Sequence, residues 1–571
     1  MKRLVASPLP VAAVLLPLFF TACGGGGSSD GSGGGVGPEP FCETDAECAA
    51  GSTNECAVAT CDIGEGVCVS TPIPDGTPCN ANEGVCRDSF CAQTELKAFV
   101  KSPNPEPNAH FGNSVSILGD RMIVGAPGSG IDSGTVAVFQ RSAGQWAVDD
   151  EIESQGLPPS CPKGLFGWSV GSATDFVVVG STGTSAAGSG SARVFRKNLG
   201  DAWVEDTTFG CLVGSDTQGF DLFATSLAVT PSGETVVVGA PGRTIGGGPA
   251  AFDLRTYSGG AYVFERINSV QWEEAAILEA SNAGSNYECS DRTGEGDAFG
   301  ASVGLWGDVE GEINTAVVGA PGEASSTSGV ALDTDGSNDD APGAGAAYVF
   351  ERDELTGDWA QTAYLKASNT DAGDRFGFAV AIHGDTIVVG AEREDSGDVN
   401  NQGDNSAIEA GAAYVFERSG DSWGQTHYLK ASNVAGGYFF GANLTMTDTT
   451  LVVGSPGEGS IGGTNSGAAY VFSYVDGAWT QTNFYKAFNA DADSAFAGPP
   501  GSVAYGSPSP LNQMCPAQNT TKGASLSVSG DTLAVGTPYE DSEAVGVNGV
   551  PTNNPIPDSG AVYIFDTTEG E

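Results

Sequence analysis

Residues 376–391 read FGFAVAIHGDTIVVGA, a long acidic loop follows, and residues 411–433 read GAAYVFERSGDSWGQTHYLKASN. Four β-type runs lie in this stretch: Phe376–Ile382, Thr386–Ala391, Ala412–Glu417 and Trp423–Ala431. In the first, Phe378, Val380 and Ile382 alternate with Ala379 and Ala381; in the third, Tyr414 and Phe416 alternate with Ala413 and Val415. Large and small residues in strict alternation predict strands packed on both faces with unequal room on the two sides. Ile387, Val388 and Val389 are apolar without alternation, which suits a strand buried on both faces. The fourth run mixes Trp423, Tyr428 and Leu429 with Gln425, His427 and Lys430, as expected of an outer, half-wet strand.

The same unit recurs along most of the chain. Its third run returns as VAVF at 136, ARVF at 192, AYVF at 261, 347, 413 and 469, and VYIF at 562. The second run precedes each copy: MIVGAP at 122, VVVGST at 177, VVVGAP at 236, AVVGAP at 316, IVVGAE at 387, LVVGSP at 451 and LAVGTP at 533. Before most of these stands Phe-Gly, at Phe111, Phe166, Phe299, Phe376 and Phe440; the third copy has Phe223-Ala224, and the seventh is read as keeping only Gly523. Repetition at this period predicts an array in which each unit buries its faces against its neighbours. Pro127, Pro241, Pro321, Pro456 and Pro538 are placed to end second strands, since proline has no N–H to continue a ladder.

The pairing of Phe-Gly with Gly-Ala-Pro, seven times over roughly Leu96 to Phe565, resembles the FG-GAP repeat of the integrin α-subunit head and its bacterial relatives. The resemblance implies an all-β fold: a seven-bladed β-propeller of four-stranded antiparallel blades. Fourth strands begin near Trp146, Trp203, Trp272, Trp359, Trp423 and Trp479, which is one too few. The missing strand is expected at the other end, where Glu95-Leu96-Lys97-Ala98-Phe99 is matched to YLKAS at 428 and 364. That strand would complete the seventh blade and leave no long open edge.

Four segments follow from the chain's composition. Residues 1–22 read as a signal peptide, with Lys2 and Arg3 before an apolar run too short to span a membrane in the ordinary way. The run ends at Thr21-Ala22-Cys23, which resembles a bacterial lipoprotein signal with Cys23 lipidated, although Phe20 stands where that family prefers leucine. Residues 23–40 are then a Gly/Ser-rich tether. Residues 41–92 carry Cys42, Cys48, Cys56, Cys61, Cys68, Cys79, Cys86 and Cys91, few apolar residues, no CxxC and no histidine. Such a segment reads as a disulfide-rich module whose pairing the spacing leaves open. Residues 95–567 are the propeller.

In such blades, loops 1–2 and 3–4 open on one face and loops 2–3 and 4–1 on the other. Loops 1–2 and 3–4 are mostly tight turns, such as HGDT at 383 and SGDS at 419. Loops 2–3 and 4–1 vary widely, with long insertions at Gly322–Pro342, Glu392–Glu409 and Phe488–Lys522. Insertions gathered on one face of a repeat array mark a candidate binding face, with loop drift as the plainer alternative. Cys161, Cys211, Cys289 and Cys515 fall in its 4–1 loops; Cys161 with Cys211 is the expected pair, Cys289 with Cys515 the remainder, with swapped pairings open. Residues 332–340, LDTDGSNDD, look like a calcium loop, with Asp333, Asp335, Asn338 and Asp340 as candidate ligands, though a solvated acidic loop is the plainer reading. The calcium loops of the resembled family lie in loop 1–2 as DxDxDG, and no copy here has that pattern. Calcium is thus the one cofactor to consider.

The net charge of −48, from 71 acidic against 23 basic residues, argues against nucleic acid and against direct adsorption to anionic lipid. The three histidines lie on different blades, no Ser–His–Asp or Cys–His set is legible, and no glycine-rich stretch opens a helix. The chain therefore reads as non-catalytic. The expected role is an exported adhesion or binding protein, lipid-anchored to the bacterial outer membrane or cell surface. It would engage an extracellular protein or glycan through the 2–3/4–1 face, touch membrane only through its anchor, and act as a monomer. A structural envelope protein with no specific ligand is the alternative, and a carboxylate-dependent glycan hydrolase stands behind both.

Overall fold

The computed structural model describes strands at 57–62, 67–72, 78–79, 84–87 and 90–93, and most of residues 96–567. Within the latter, residues 131–133, 154–160, 162–163, 186–187, 207–210, 245–257, 269–270, 284–295, 308–313, 332–337, 399–400, 460–463, 490–492, 499–524 and 550–555 lie outside the description. The chain divides into two compact units, Met1–Thr94 and Glu95–Glu571. In the first, Ala57–Asp62 pairs with Val67–Pro72, which sets Cys61 opposite Cys68. A three-stranded sheet follows, with Cys86 opposite Cys91. Cys23, Cys42, Cys48 and Cys56 lie outside the described residues, as does the expected signal peptide.

The second unit is a ring of seven antiparallel blades. Blade five consists of Phe376–His383, Thr386–Ala391, Ala412–Ser419 and Ser422–Leu429, hydrogen-bonded in that order. The alternation in its third strand now has a cause. Tyr414 and Phe416 pack into the junction with blade four, whereas Ala413 and Val415 pack into the junction with blade six. Each of the seven junctions holds one apolar cluster of this kind, including the one that joins blade seven to blade one. The core is thus distributed between blades rather than gathered at a centre. Blade two carries Cys211–Leu212 as a second piece of its outer strand, and blade four adds Val330–Ala331 outside its fourth strand.

The ring closes as expected, but in a different register. Leu96–Val100 pairs with the third strand of blade seven, Ala561–Asp566. Val100 stands opposite Val562 in the way that Leu429 stands opposite Ala413. The counterpart of Leu429-Lys430 is therefore Val100-Lys101, not Leu96-Lys97. Lys101 is fully buried and Lys97 exposed, so the burial of one lysine selects this register.

A second correction concerns blade seven. In four blades the Phe of Phe-Gly forms a bridge to a glycine of the preceding blade, as Phe376 does to Gly345. In blade seven that bridge is Phe496 with Gly467, so Phe496-Ala497 is its Phe-Gly copy. The insertion 499–524 falls after this pair and before the first strand, Leu526–Ser529.

The two halves of the motif depend on each other across the junctions. A Cβ on Gly390, in the second strand of blade five, would lie 2.0 Å from the carbonyl oxygen of Gly441 in blade six. The glycine is required there because the neighbouring backbone occupies the side-chain position. Gly441 itself has φ of 90°, a region costly for other residues. Ala224 and Ala497 occupy this place with φ of 67° and 69°. Their carbonyl oxygens stand 3.0 and 3.1 Å from the equivalent Cβ positions on Gly180 and Gly454. Where the repeat replaces glycine with alanine, the two backbones are set about 1 Å further apart by this measure.

Candidate functional site

The 2–3 and 4–1 loops leave their blades at a recurring buried corner. In blade five the corner forms around Glu394, four residues beyond Gly390 of the second strand. Glu394 accepts from Lys430 Nζ at 2.7 Å, from Tyr428 Oη at 2.8 Å and from Asn369 Nδ2 at 3.0 Å. Tyr414 Oη donates to Asn369 Oδ1 at 2.7 Å. Lys430 and Tyr428 belong to blade five, but Asn369 comes from the loop that leaves blade four. The corner therefore joins two blades as well as two loops.

Blade four repeats it with Glu323, Lys366 at 2.8 Å, Tyr364 at 2.9 Å, Asn282 at 3.0 Å, and Tyr348 donating to Asn282 at 2.6 Å. Blade six uses Glu458, Lys486, Asn433 and Tyr470. Blade seven uses Glu540, Lys101, Asn489 and Tyr563, so the closing strand is fastened by the same device. Burial pushes the pKa of all four lysines down, opposed by the glutamate beside each. A buried charge is tolerable only when paired and hydrogen-bonded, which each glutamate is.

Blade three builds the corner with its charges exchanged. Arg243 takes the place of the glutamate and Glu279 that of the lysine, 2.7 Å apart. Asp216, from the loop leaving blade two, takes the place of the asparagine and lies 2.7 Å from Arg243. Tyr262 Oη still donates to this residue, at 2.6 Å. Blades one and two have Ser129 and Thr184 at the glutamate position. In blade two, Cys161 and Cys211 form a disulfide that links the segments entering and leaving the blade.

The opposite face is held differently. Lys197 pairs with Asp149, Arg266 with Asp175, Arg352 with Glu265 and Arg418 with Glu351, each basic residue reaching back one blade. Several of these pairs are partly exposed, and such pairs contribute little to stability.

Of the candidate metal ligands, Asp333 and Asp335 lie outside the described residues. Asn338 Oδ1 accepts from the Asp340 backbone N–H at 3.1 Å, and Asp340 is exposed, which is the arrangement of a turn. Among the acidic residues of 392–409, Glu394 belongs to the corner. Glu392 is fully buried against Arg375 at 2.9 Å. Asp395 accepts from the Glu409 N–H, which folds the loop back on itself. The acidic run is thus mostly internal bracing. Cys211 sits on the short outer strand of blade two rather than in a free loop. Cys289 and Cys515 lie outside the described residues. His110 is half-buried against Tyr539, its pKa pushed down to about 4 by the burial of its ring. His383 lies against Trp306 with ring centroids 4.1 Å apart, and His427 lies on the outer strand of blade five, so the three share no site. Among the described residues, no three His, Cys, Asp or Glu side chains are grouped to hold a metal ion.

The reading missed these corners because a glutamate in an acidic loop looks solvated. A signal was present: Glu323, Glu394, Glu458 and Glu540 all stand four residues beyond the glycine that ends the second-strand run.

Three segments match the FG-GAP repeat family: residues 101–139, 359–416 and 423–472. The second runs from the fourth strand of blade four to the third of blade five, and so includes Asn369, Glu394 and Tyr414. The seven-bladed ring makes the second unit a β-propeller, and these three segments of it are similar to the FG-GAP repeat. Comparison with curated proteins finds no match.

Proposed function

We propose that this is an exported, non-catalytic binding or adhesion protein. Lipidation at Cys23 would tether it to the outer membrane or cell surface, and its 2–3/4–1 face would engage an extracellular protein or glycan. One observation carries the reading: variation in loop length is concentrated on that face, at the mouths of corners that are themselves fixed. Loops of different length are thereby presented from rigid positions, the arrangement by which scaffolds carry binding loops. The opposite face offers short turns.

The test is capture of glycans or surface proteins by the soluble ectodomain from residue 24. Two variants are compared: one with residues 399–405 and 499–524 each replaced by a short Gly/Ser linker, and one with the turns at 419–422 and 475–478 altered. Both leave Glu392, Glu394 and the other corner residues in place. Loss of capture is expected in the first variant only. Capture that survives there and is lost in the second assigns binding to the other face.

A further inference from the structure

Blades four and five are close to interchangeable in two of their strands. AAYVFER occurs at 346–352 and again at 412–418, and YLKASN at 364–369 and again at 428–433. Repeat arrays of similar units are prone to docking a unit against the wrong neighbour. Every corner from blade three to blade seven takes one side chain from the preceding blade, so each corner also inspects its neighbour. At blades four to seven that side chain is an asparagine facing a glutamate. At blade three it is Asp216 facing Arg243.

We propose that the exchanged charges of blade three are a registry device that fixes which blade follows blade two. Docked against blade four, five or six, Asp216 would meet Glu323, Glu394 or Glu458. Two carboxylates would then share one buried lysine, and like charges in such a site repel strongly. An asparagine brought against Arg243 would leave the guanidinium without its second carboxylate. Buried ionic groups, such as Arg243 here, are best attested as specifiers of pairing rather than as sources of stability, while its partners Asp216 and Glu279 reach solvent. The inversion has that form: Arg243 faces two carboxylates, Asp216 and Glu279, where each common corner pairs one lysine with one glutamate. Tyr262 keeps its bond to residue 216 as Tyr348, Tyr414 and Tyr470 keep theirs to asparagine, so the incoming side chain is held in the same way and differs in its charge.

The test refolds the full mature chain from urea with its disulfides intact, and reads native yield by size exclusion and near-ultraviolet circular dichroism. The triple variant D216N/R243E/E279K converts blade three to the common corner. Its native yield is expected to fall at least twofold, with soluble oligomers in place of monomer, while the melting temperature of the recovered native fraction stays within a few degrees. Asp216→Asn alone keeps Arg243 with Glu279 and the Tyr262 bond, and removes the repulsion together with the Arg243–Asp216 pair, a loss that Glu279→Gln matches at the other carboxylate of Arg243; it should lower yield beyond Glu279→Gln and decides the matter if the triple variant does not fold. Glu279→Gln weakens the same corner without altering what it accepts. Wild-type yield in the triple variant or in Asp216→Asn, or a loss no larger than that of Glu279→Gln, overturns the proposal.

Discussion

Blade five and blade two share strand order, a Phe-Gly start and a glycine-ended second strand, yet they are clamped by different chemistry. Blade five holds its two loop exits together through the buried set of Glu394, Lys430, Tyr428 and Asn369. Blade two has Thr184 and Val213 at the two charged positions. Its exits are joined by the Cys161–Cys211 bond, and Arg193, buried where blade five has Tyr414, pairs with Glu205 at 3.3 Å. The repeat thus demands that the corner be closed without specifying how. The strands are constrained by the blade on either side along their whole length, whereas the corner of blade five takes a single side chain, Asn369, from its neighbour.

Removing one charge from blade five should be the most damaging way to test this. Lys430→Met leaves Glu394 buried without a counter-charge, and breaking one partner of such a pair costs about 3–5 kcal/mol. The double variant K430M/E394Q keeps an acceptor for Asn369 and Tyr428 and is expected to recover most of that loss. Urea unfolding of the three proteins checks it, and a double variant no better than the single one would show that the charge is not what matters. In blade two, Cys161→Ser/Cys211→Ser removes a cross-link across 50 residues and should cost about 2–4 kcal/mol. The two losses should add, since the corners share no partner.

The strands of blade five were legible because alternation of large and small residues is dictated by unequal junctions. The ring was legible from a count of outer strands. The register of the closing strand was not, since Leu96-Lys97-Ala98 resembles Leu429-Lys430-Ala431 better than Val100-Lys101-Ser102 does, and only burial of Lys101 beside Glu540 decides between them. Phe496 escaped notice because Ala497 replaces the expected glycine and an insertion separates it from its strand. The corners were hidden for a different reason. Pairing Glu394 with Lys430 requires knowing that residues 36 apart meet at one end of a blade, which composition cannot reveal.

A smaller effect should separate the two blades at their second-strand glycines. Gly390→Ala drives a Cβ into the Gly441 carbonyl at 2.0 Å, and a backbone shift across the junction should cost about 1–3 kcal/mol. Gly180→Ala in blade two meets the Ala224 carbonyl only at 3.0 Å; its nearest clash is the Ser169 hydroxyl, a rotatable group. The blade-two substitution should therefore be the milder, by about 1 kcal/mol. Equal losses would mean that the wider spacing at Ala224 gives no real slack.

The last difference is a matter of pH. Two residues before its Phe-Gly, blade five has Asp374 and blade two has Gly164. Asp374 is buried; burial first, and then the nearby Glu394, Asp371 and Asp395, push its pKa up to about 8, against the single hydrogen bond from the Asp371 backbone N–H. Its folded-state pKa lies above its unfolded one of 3.8, so the folded chain holds this proton more tightly. The associated stability is complete below the unfolded value and is lost as pH rises toward about 8. Asp374→Asn cannot ionise and keeps an oxygen for the Asp371 N–H. It should match the wild type in acid and become progressively more stable than it between pH 5 and pH 9, in urea unfolding at constant ionic strength. The rest of the acidic surface titrates alike in both proteins, so only the difference between them reports on this group. A difference that does not change with pH would show that Asp374 is ionised in the fold and that blade five, like blade two, carries no buried proton at this position.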